Sequence, residues 1–484
     1  MELFEYKAFE LAQMLTDKQI SSSELVSAYI NRINTVDKKL NAFITKCFDD
    51  ALEQARIIDQ KRVSGADMTL IAGIPIGIKD NISVKGLKMT CGSKMLENYV
   101  APYDAAVIEK LRQSGGIMLG KLNMDEFAMG SSNQTSYFGA CRDPYDTSKV
   151  SGGSSGGCAA AVSAGEAAYA LGSDTGGSIR QPSAFCGTVG FKPTYGTVSR
   201  YGLTAFASSF DQIGTVCKCV KDTAMLFDVI SGKDHRDSTS VDKKYNCYNS
   251  LCSDAYGLKI GVPRELFESV SHPDIIDSFN RSVNLFKDTG AQLIDISIEN
   301  TKLALAAYYV ISSAEASSNL GRFDGVRFGY RAKDCKDIND TFIRSRTQGF
   351  GDECKRRIML GTFVLSAGFY DDYYKKALAA AKMITKHLDS LFEQVDIIAL
   401  PTSPETAFSV GDKLDDPVKM YQSDIFTVFA NIAGIPAISV PCGVDKNGLP
   451  IGLQLMSKRF DEQVLLNAAY AFESAFEGIP KPRL

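Results

Sequence analysis

The chain has 484 residues, 45% of them hydrophobic and 23% charged, which suits two or three average domains or one large α/β enzyme domain. Its net charge of -4, with no dense lysine–arginine block, argues against a protein that binds nucleic acid alone. Twelve cysteines without CxxC pairs or zinc-like spacing, and the lack of a signal peptide or membrane-spanning run, predict a cytoplasmic protein with free thiols and no metal.

Hydrophobic periodicity in the first half of the chain predicts helices followed by alternating strands and helices. Residues 1–60 are predicted to be helical, with an N-terminal cap near Ser21. The following elements are predicted in chain order: a buried strand and turn at 71–84, a helix at 105–114, a strand at 115–121, a helix at 155–164, a strand at 167–173, and a short helix after Gly177.

The second half begins with a polar, turn-rich connection at 232–256. The elements predicted beyond it are strands at 258–263 and 291–298 around a helix at 274–288, long helices over 352–394, strands at 396–404, 437–443 and 451–457, and a last helix at 461–475. Strands that alternate with helices throughout favour an α/β layered fold.

The segment 151–178 is rich in glycine and serine and contains two Gly-Gly-Ser turns, which end at Ser154 and Ser178. Paired glycines before a serine allow backbone N–H groups to approach an atom bonded to the serine oxygen, as a nucleophile with an oxyanion hole requires. The apolar stretches inside the segment are not typical of a flexible linker, and the GxxxxGK[ST] phosphate-binding pattern is absent.

An alternative for this segment is the nucleophile elbow of α/β-hydrolases, because residues 152–156 satisfy G-x-S-x-G. Ser154 would then be the nucleophile and would need a histidine later in the chain. Of the three histidines, His235 lies in the polar connection, His387 lies in a predicted helix, and none is near the segment. The base for a serine nucleophile is therefore not expected to be histidine.

Three strings carry a resemblance to a known family: GIPIGIKD at 73–80, GGSSGG at 152–157 and DTGGSIRQPSAFCGTVGFKPT at 174–194. Together they resemble the amidase signature family. The resemblance implies an α/β fold with a central mixed sheet covered by helices on both faces. It implies one domain over 1–484, with N-terminal helices (1–60), a catalytic core (61–231), the polar connection (232–256) and a part lining the substrate pocket (257–484).

The same resemblance implies a Ser-cisSer-Lys catalytic set, with Ser178 as nucleophile, Ser154 as bridging serine and Lys79 as base. The oxyanion hole would consist of the backbone N–H groups of Thr175, Gly176, Gly177 and Ser178. No metal takes part in this chemistry.

A lysine acts as a base only when it is neutral, so Lys79 needs a pKa lowered by roughly 3 units from its usual value of about 10.4. Burial can supply such a shift, and Lys79 follows an apolar run. The neighbouring Asp80 would oppose it. Lys149 and Lys192 are rival bases by proximity to the serines, and only the resemblance selects Lys79.

Within the family, the segments 121–139, 313–331 and 349–374 are most similar to the glutaminase subunits of tRNA-dependent amidotransferases. This similarity implies a glutamine pocket in which Arg357 binds the α-carboxylate, Asp424 binds the α-ammonium group and Tyr308 lines the wall. Arg357 is ambiguous with its neighbour Arg356.

The same similarity implies partners. Ammonia would pass to a B subunit, where tRNA-bound glutamate or aspartate is amidated with ATP and Mg²⁺, and a small C subunit would brace the pair. This chain would itself need no cofactor and would contact charged tRNA mainly through its partner, without a membrane. The alternatives are a stand-alone amidase for a small or aryl amide and a non-enzymatic protein that retains the fold.

Overall fold

The computed structural model describes the chain apart from residues 271, 300 and 415 and the side chains of 267–269. In this part of the chain the strands are β1 (Phe43–Lys46), β2 (Pro75–Lys79), β3 (Ile117–Leu122), β4 (Tyr169–Asp174), β5 (Val189–Lys192), β6 (Gln212–Cys217), β7 (Lys259–Val262), β8 (Gln292–Asp295), β9 (Ile397–Pro401), β10 (Ala437–Val444) and β11 (Pro450–Ser457).

The α-helices are interspersed with these strands along the chain. They are α1 (Ala8–Thr16), α2 (Ser22–Leu40), α3 (Phe48–Val63), α4 (Ala106–Gln113), α5 (Gly156–Ser163), α6 (Arg180–Phe185), α7 (Val220–Ile230), α8 (Pro273–Asp288), α9 (Thr301–Asn319), α10 (Ile338–Gly349), α11 (Asp352–Val364), α12 (Lys376–Leu391), α13 (Pro417–Gln422), α14 (Val428–Ile432) and α15 (Glu462–Ala475). No helix among the described residues is both long and apolar enough to cross a bilayer.

The strands form one mixed sheet in the order β1-β3-β2-β4-β6-β5-β10-β11-β9-β7-β8. Strand β2 is parallel to both β3 and β4, whereas β4 pairs with β6, and β5 with β10, in antiparallel fashion. Every residue of β2, β3, β4, β6, β9 and β11 is buried. Because successive side chains point to opposite faces, both faces of these strands are covered. The predicted α/β fold with a central mixed sheet is confirmed.

The parallel arrangement of β2, β3 and β4 determines where the site can form. The carboxyl ends of parallel strands meet at one edge of a sheet, where ligands bind in many α/β proteins. Strand β2 ends at Lys79, β4 ends at Asp174, and β3 ends at Leu122 before the loop that leads to Ser131. The segments 73–80, 121–139 and 174–194 therefore all reach the same edge of the sheet.

Three differences from the sequence-based expectations have physical reasons. The region 1–60, predicted to be helical, contains β1, whose four residues pair with β3 at the sheet edge and are too few for a periodic signal. Within 352–394, where long helices were predicted, α11 ends at Val364 and a π-helical turn at Tyr370–Lys375 leads into α12. Strands β5 and β6 and helices α7, α9, α10, α13 and α14 were not predicted; β5 has only four residues, and β6 contains the polar residues Gln212 and Thr215.

Candidate active site

Lys79 lies at the end of β2 and is completely buried. Its Nζ is 2.8 Å from Ser154 Oγ, 2.9 Å from Ser173 Oγ and 3.2 Å from the Ser173 carbonyl oxygen. A neutral amine has two N–H groups and one lone pair. The carbonyl of Ser173 can only accept a hydrogen bond, so this arrangement allows the lone pair to face the hydroxyl of Ser154.

Burial lowers the pKa of Lys79 from its ordinary value to about 8, although the carboxylates of Asp125 and Asp174 act in the opposite direction. Asp80, expected to raise this pKa, is paired elsewhere: its carboxylate is 3.0 Å from Lys121 Nζ and accepts the amide of Thr90 at 2.8 Å. Lys79 therefore approaches the neutral form that a base requires.

The two rival lysines contact neither catalytic serine. Lys192 Nζ donates to the carbonyl oxygens of Pro193 and Ile435, and Lys149 Nζ donates to Ser409 Oγ. Burial lowers the pKa of Lys192 to about 7, so a lowered pKa does not by itself identify the base. Contact with Ser154 distinguishes Lys79 from both rivals.

Ser154 lies in a turn held from both sides. Its peptide bond with Gly153 is cis. The Gly153 N–H donates to Gln181 Oε1 at 3.0 Å, and the Asp125 N–H donates to the Ser154 carbonyl at 3.3 Å. Gln181 Nε2 also donates to the Ser131 carbonyl at 3.0 Å, so one buried side chain joins the turn to the loop after β3.

Ser178 follows a tight turn organised by Asp174. The Asp174 carboxylate accepts the amides of Gly177 (2.9 Å) and Ile179 (3.1 Å) and pairs with the Arg180 guanidinium at 2.9 Å. Burial opposes ionisation of Asp174, but Arg180 outweighs it and holds the pKa of this carboxyl well below its usual range. Charge-assisted bonds to a buried ion pair make this turn rigid.

The backbone of Ser178 is adjacent to the Ser154 turn, because the Ser155 N–H donates to the Ser178 carbonyl at 3.0 Å. Ser178 is 8% exposed, and within the described ranges its hydroxyl makes no hydrogen bond, including none to Ser154. Only the lysine–Ser154 half of the expected relay is formed at rest. Catalytic hydrogen bonds are often long without substrate.

The expected oxyanion hole is the turn 175–178. The Gly177 N–H is directed at Asp174, whereas the amides of Thr175, Gly176 and Ser178 have no hydrogen-bond partner among the described residues. Gly177 has φ +138°, and a Cβ there would collide with the side chain of Thr427. Glycine is therefore needed at this position.

Arg357, on α11, is 3% exposed, whereas the Arg356 side chain is 42% exposed, which resolves the ambiguity between them. The Arg357 Nε donates to Glu353 Oε1 at 2.7 Å. Its guanidinium lies 4.4 Å from the ring centroid of Tyr309 and 4.7 Å from that of Tyr421. Its Nη1 is buried without a partner among the described residues.

Asp424 and Tyr308 are the other two residues expected in the substrate pocket. Asp424 accepts hydrogen bonds from Tyr309 Oη at 2.7 Å and Ser131 Oγ at 2.9 Å. Burial raises the pKa of Asp424 to about 6. The Tyr308 ring packs so closely on Gly176 that a Cβ there would overlap it. Tyr308 thus packs on the 175–178 turn, and its neighbour Tyr309 contacts both Asp424 and Arg357.

Sequence reasoning missed the residues that hold these groups. They include Ser173, Asp174, Arg180, Gln181, Ser131, Asp125, Tyr309 and Glu353. Most lie inside or beside the recognised motifs. The available signal was a polar or charged side chain inside a stretch otherwise expected to be buried, since such groups need partners.

The histidine-dependent alternative lacks its base. His235 has a 91% exposed side chain beside Asp234, and His387 Nε2 contacts the carbonyl of Ser297. Neither these residues nor His272 contacts Ser154 or Ser178 in the described part of the chain. All twelve cysteines are free thiols, and no cluster of potential metal ligands occurs among the described residues.

The chain is similar to known proteins over its whole length. Residues 24–466 match the profile of the amidase family. The A subunit of glutamyl-tRNA(Gln) amidotransferase from Caldanaerobacter subterraneus subsp. tengcongensis is 51% identical over 484 residues, covering 100% of this chain and 99% of the relative.

Two solved structures are also similar. The A subunit of glutamyl-tRNA(Gln) amidotransferase from Thermotoga maritima is 39% identical with a TM-score of 0.83, covering 100% of this chain and 98% of its own. Peptide amidase of Stenotrophomonas maltophilia is 27% identical with a TM-score of 0.84, covering 99% of this chain and 98% of its own. With the buried lysine–serine contact and the glycine turn, these matches establish that the chain belongs to the amidase family.

Proposed function

We propose that this chain hydrolyses glutamine with a Ser-Ser-Lys mechanism and supplies the ammonia to a partner that amidates Glu-tRNA(Gln) or Asp-tRNA(Asn) with ATP. The observation that carries the proposal is a buried lysine–serine contact beside a turn on which Tyr308 packs, with buried Arg357 and Asp424 both in contact with the adjacent Tyr309. Identity of 51% to the A subunit of a glutamyl-tRNA(Gln) amidotransferase supports it further.

The chemistry begins when neutral Lys79 accepts the proton of Ser154 as Ser154 accepts that of Ser178. The Ser178 oxygen attacks the side-chain amide carbon of glutamine, and the free amides of Thr175, Gly176 and Ser178 stabilise the oxyanion. The proton returns through Ser154 to the departing nitrogen, which leaves as ammonia. Water activated by the same relay then hydrolyses the glutamyl ester and releases glutamate.

Arg357 and Asp424 explain why the substrate would be an α-amino acid amide. A guanidinium with a free buried N–H suits an α-carboxylate, and a carboxylate held by two hydroxyls suits an α-ammonium group. A small neutral or aryl amide, the substrate class of the alternative stand-alone amidase, would offer no carboxylate to the Arg357 Nη1 and no ammonium group to the Asp424 carboxylate. The buried charges therefore favour glutamine.

The partners follow from the same assignment. The B subunit would bind ATP and Mg²⁺ and most of the charged tRNA, and a small C subunit would complete a heterotrimer. The net charge of -4 suits a chain that leaves RNA binding to its partner.

The test is ammonia release from glutamine by the chain purified with its partner subunits. Ser178→Ala removes the nucleophile, and we expect a loss of at least about 10³-fold in kcat. A fluorophosphonate probe should label the parent and leave the variant unlabelled. Normal glutaminase activity of Ser178→Ala would exclude the mechanism. Activity on simple amides with none on glutamine would favour the stand-alone amidase.

A further inference from the structure

Glu353 and two tyrosine rings contact the Arg357 guanidinium and leave its Nη1 unpaired among the described residues. Its Nε donates to Glu353 Oε1 at 2.7 Å, and its guanidinium carbon lies 4.4 and 4.7 Å from the ring centroids of Tyr309 and Tyr421. Both ionic side chains are enclosed, with 4% of Arg357 and 12% of Glu353 exposed. The guanidinium therefore has a fixed position and direction before any substrate arrives.

Glu353 is itself fixed by more than the arginine. Tyr421 Oη donates to Glu353 Oε1 at 2.8 Å, and Arg356 pairs with the other carboxylate oxygen, Oε2. The Tyr421 ring stacks on Tyr309 with 4.0 Å between centroids. Since Tyr309 donates to Asp424, one connected network includes both charged groups of the proposed glutamine pocket.

The free Nη1 of Arg357 indicates what this network is for. Guanidinium has five N–H donors in a rigid fork, and a carboxylate accepts best from two adjacent ones. Glu353 occupies the Nε edge, which leaves the buried Nη1 without a partner in the described part of the chain. Ion pairs at i,i+4 spacing that only stabilise a helix usually lie in solvent, where each contributes little to the free energy of unfolding.

We propose that Glu353 is a positioning residue for glutamine recognition: it holds Arg357 by Nε so that Nη1 faces the α-carboxylate of the substrate. This inference rests on the proposed glutaminase function. Glu353 itself does not touch the substrate. It sets the orientation of the group that does, and Tyr421 donates to the same carboxylate oxygen, Oε1.

The experiment measures steady-state ammonia release by the chain in complex with its partner subunits. Glu353→Ala frees the guanidinium, so we expect KM for glutamine to rise at least about tenfold while kcat changes by less than about threefold. Glu353→Gln keeps an oxygen for Nε and Tyr421 but loses the charge, so its KM should lie between those of Glu353→Ala and the parent. Butyramide, which lacks both α-groups, should be hydrolysed at the parental kcat/KM by each variant.

A matched control is Asp352→Ala. It removes the neighbouring acid of the same helical turn, whose side chain is 88% exposed and pairs with Lys355. This variant should leave KM for glutamine unchanged. Fluorophosphonate labelling of Ser178 in every variant checks that the catalytic turn has folded.

Three outcomes separate the ideas. An unchanged KM for glutamine in Glu353→Ala, or an equal loss on glutamine and butyramide, overturns the positioning role. If Arg357→Ala raises KM for glutamine but Glu353→Ala does not, only this inference fails. If Arg357→Ala also leaves KM unchanged, the proposed glutamine pocket fails with it.

Discussion

The burial of Lys79 predicts a pH dependence of glutamine hydrolysis that an exposed lysine would not produce. Its pKa is lowered from 10.5 to about 8 by burial. At neutral pH about one molecule in ten then carries the neutral amine, compared with roughly one in a few thousand for an ordinary lysine. The difference corresponds to about 3 kcal/mol in the cost of having a neutral base.

Because only the neutral amine can accept the proton of Ser154, kcat/KM should rise about tenfold per pH unit as the pH increases towards about 8, then level off. The sign follows from the group: a base with a lowered pKa is deprotonated above that pKa and inactive below it. The assay is ammonia release at low glutamine concentration by the complex, across the range in which it remains folded.

Two substitutions make the test specific. Lys79→Arg keeps a charge that does not titrate in proteins, so it should lower kcat/KM by about 10²- to 10⁴-fold at every pH. Lys149→Met removes a rival base whose Nζ donates to Ser409 Oγ, and it should keep the parental profile. A parental profile that is flat through neutral pH, or substantial activity of Lys79→Arg, would refute the role of Lys79.

The remaining predictions concern the two groups that flank the relay. Burial raises the pKa of Asp424 to about 6, so this carboxylate loses its charge as the pH falls through that value, and KM for glutamine should rise in acid. Asp424→Asn should raise KM by about 10- to 100-fold and abolish this pH dependence. An acid rise in KM that survives in Asp424→Asn would contradict the assignment. Gln181→Leu leaves the Gly153 N–H and the Ser131 carbonyl buried without partners, so the free energy of unfolding should fall by about 2–5 kcal/mol and kcat should fall as well. Urea unfolding and kcat measure this, and unchanged values in both would show that Gln181 does not hold the Ser154 turn.

Much of the fold could be predicted because its signals are local. The strand ending at Lys79 and the strand before the Ser178 turn are short apolar runs, and both lie where periodicity predicted them. Strand β6 was missed because its residues, QIGTVC, form neither a strict polar–apolar alternation nor a continuous apolar run, although all six are buried. Gln212 at its start bonds to the amide of Gly196 and the carbonyl of Val198, and a single-sequence pattern contains no information on such partners.

The residues of the site also fall into those that the sequence identifies and those that only the folded structure identifies. Motif residues could be identified from the sequence, but Arg357 could be distinguished from Arg356 only by burial, since adjacent helical positions point in different directions. The local sequence around Glu353 contains no signal of its role. Its role depends on Tyr421, which is 68 residues away and contacts it only in the folded chain.

By itself, the sequence determined the alternation of helices and strands, the glycine turns before two serines and the resemblance that connects them to a lysine. These features depend on backbone conformation and side-chain size over a few neighbouring residues. Tertiary structure decided how far burial lowers the pKa of that lysine, which of two adjacent arginines is enclosed and which acids contact them. Those properties depend on burial and on charges brought together from distant segments, and they exist only once the sheet has formed.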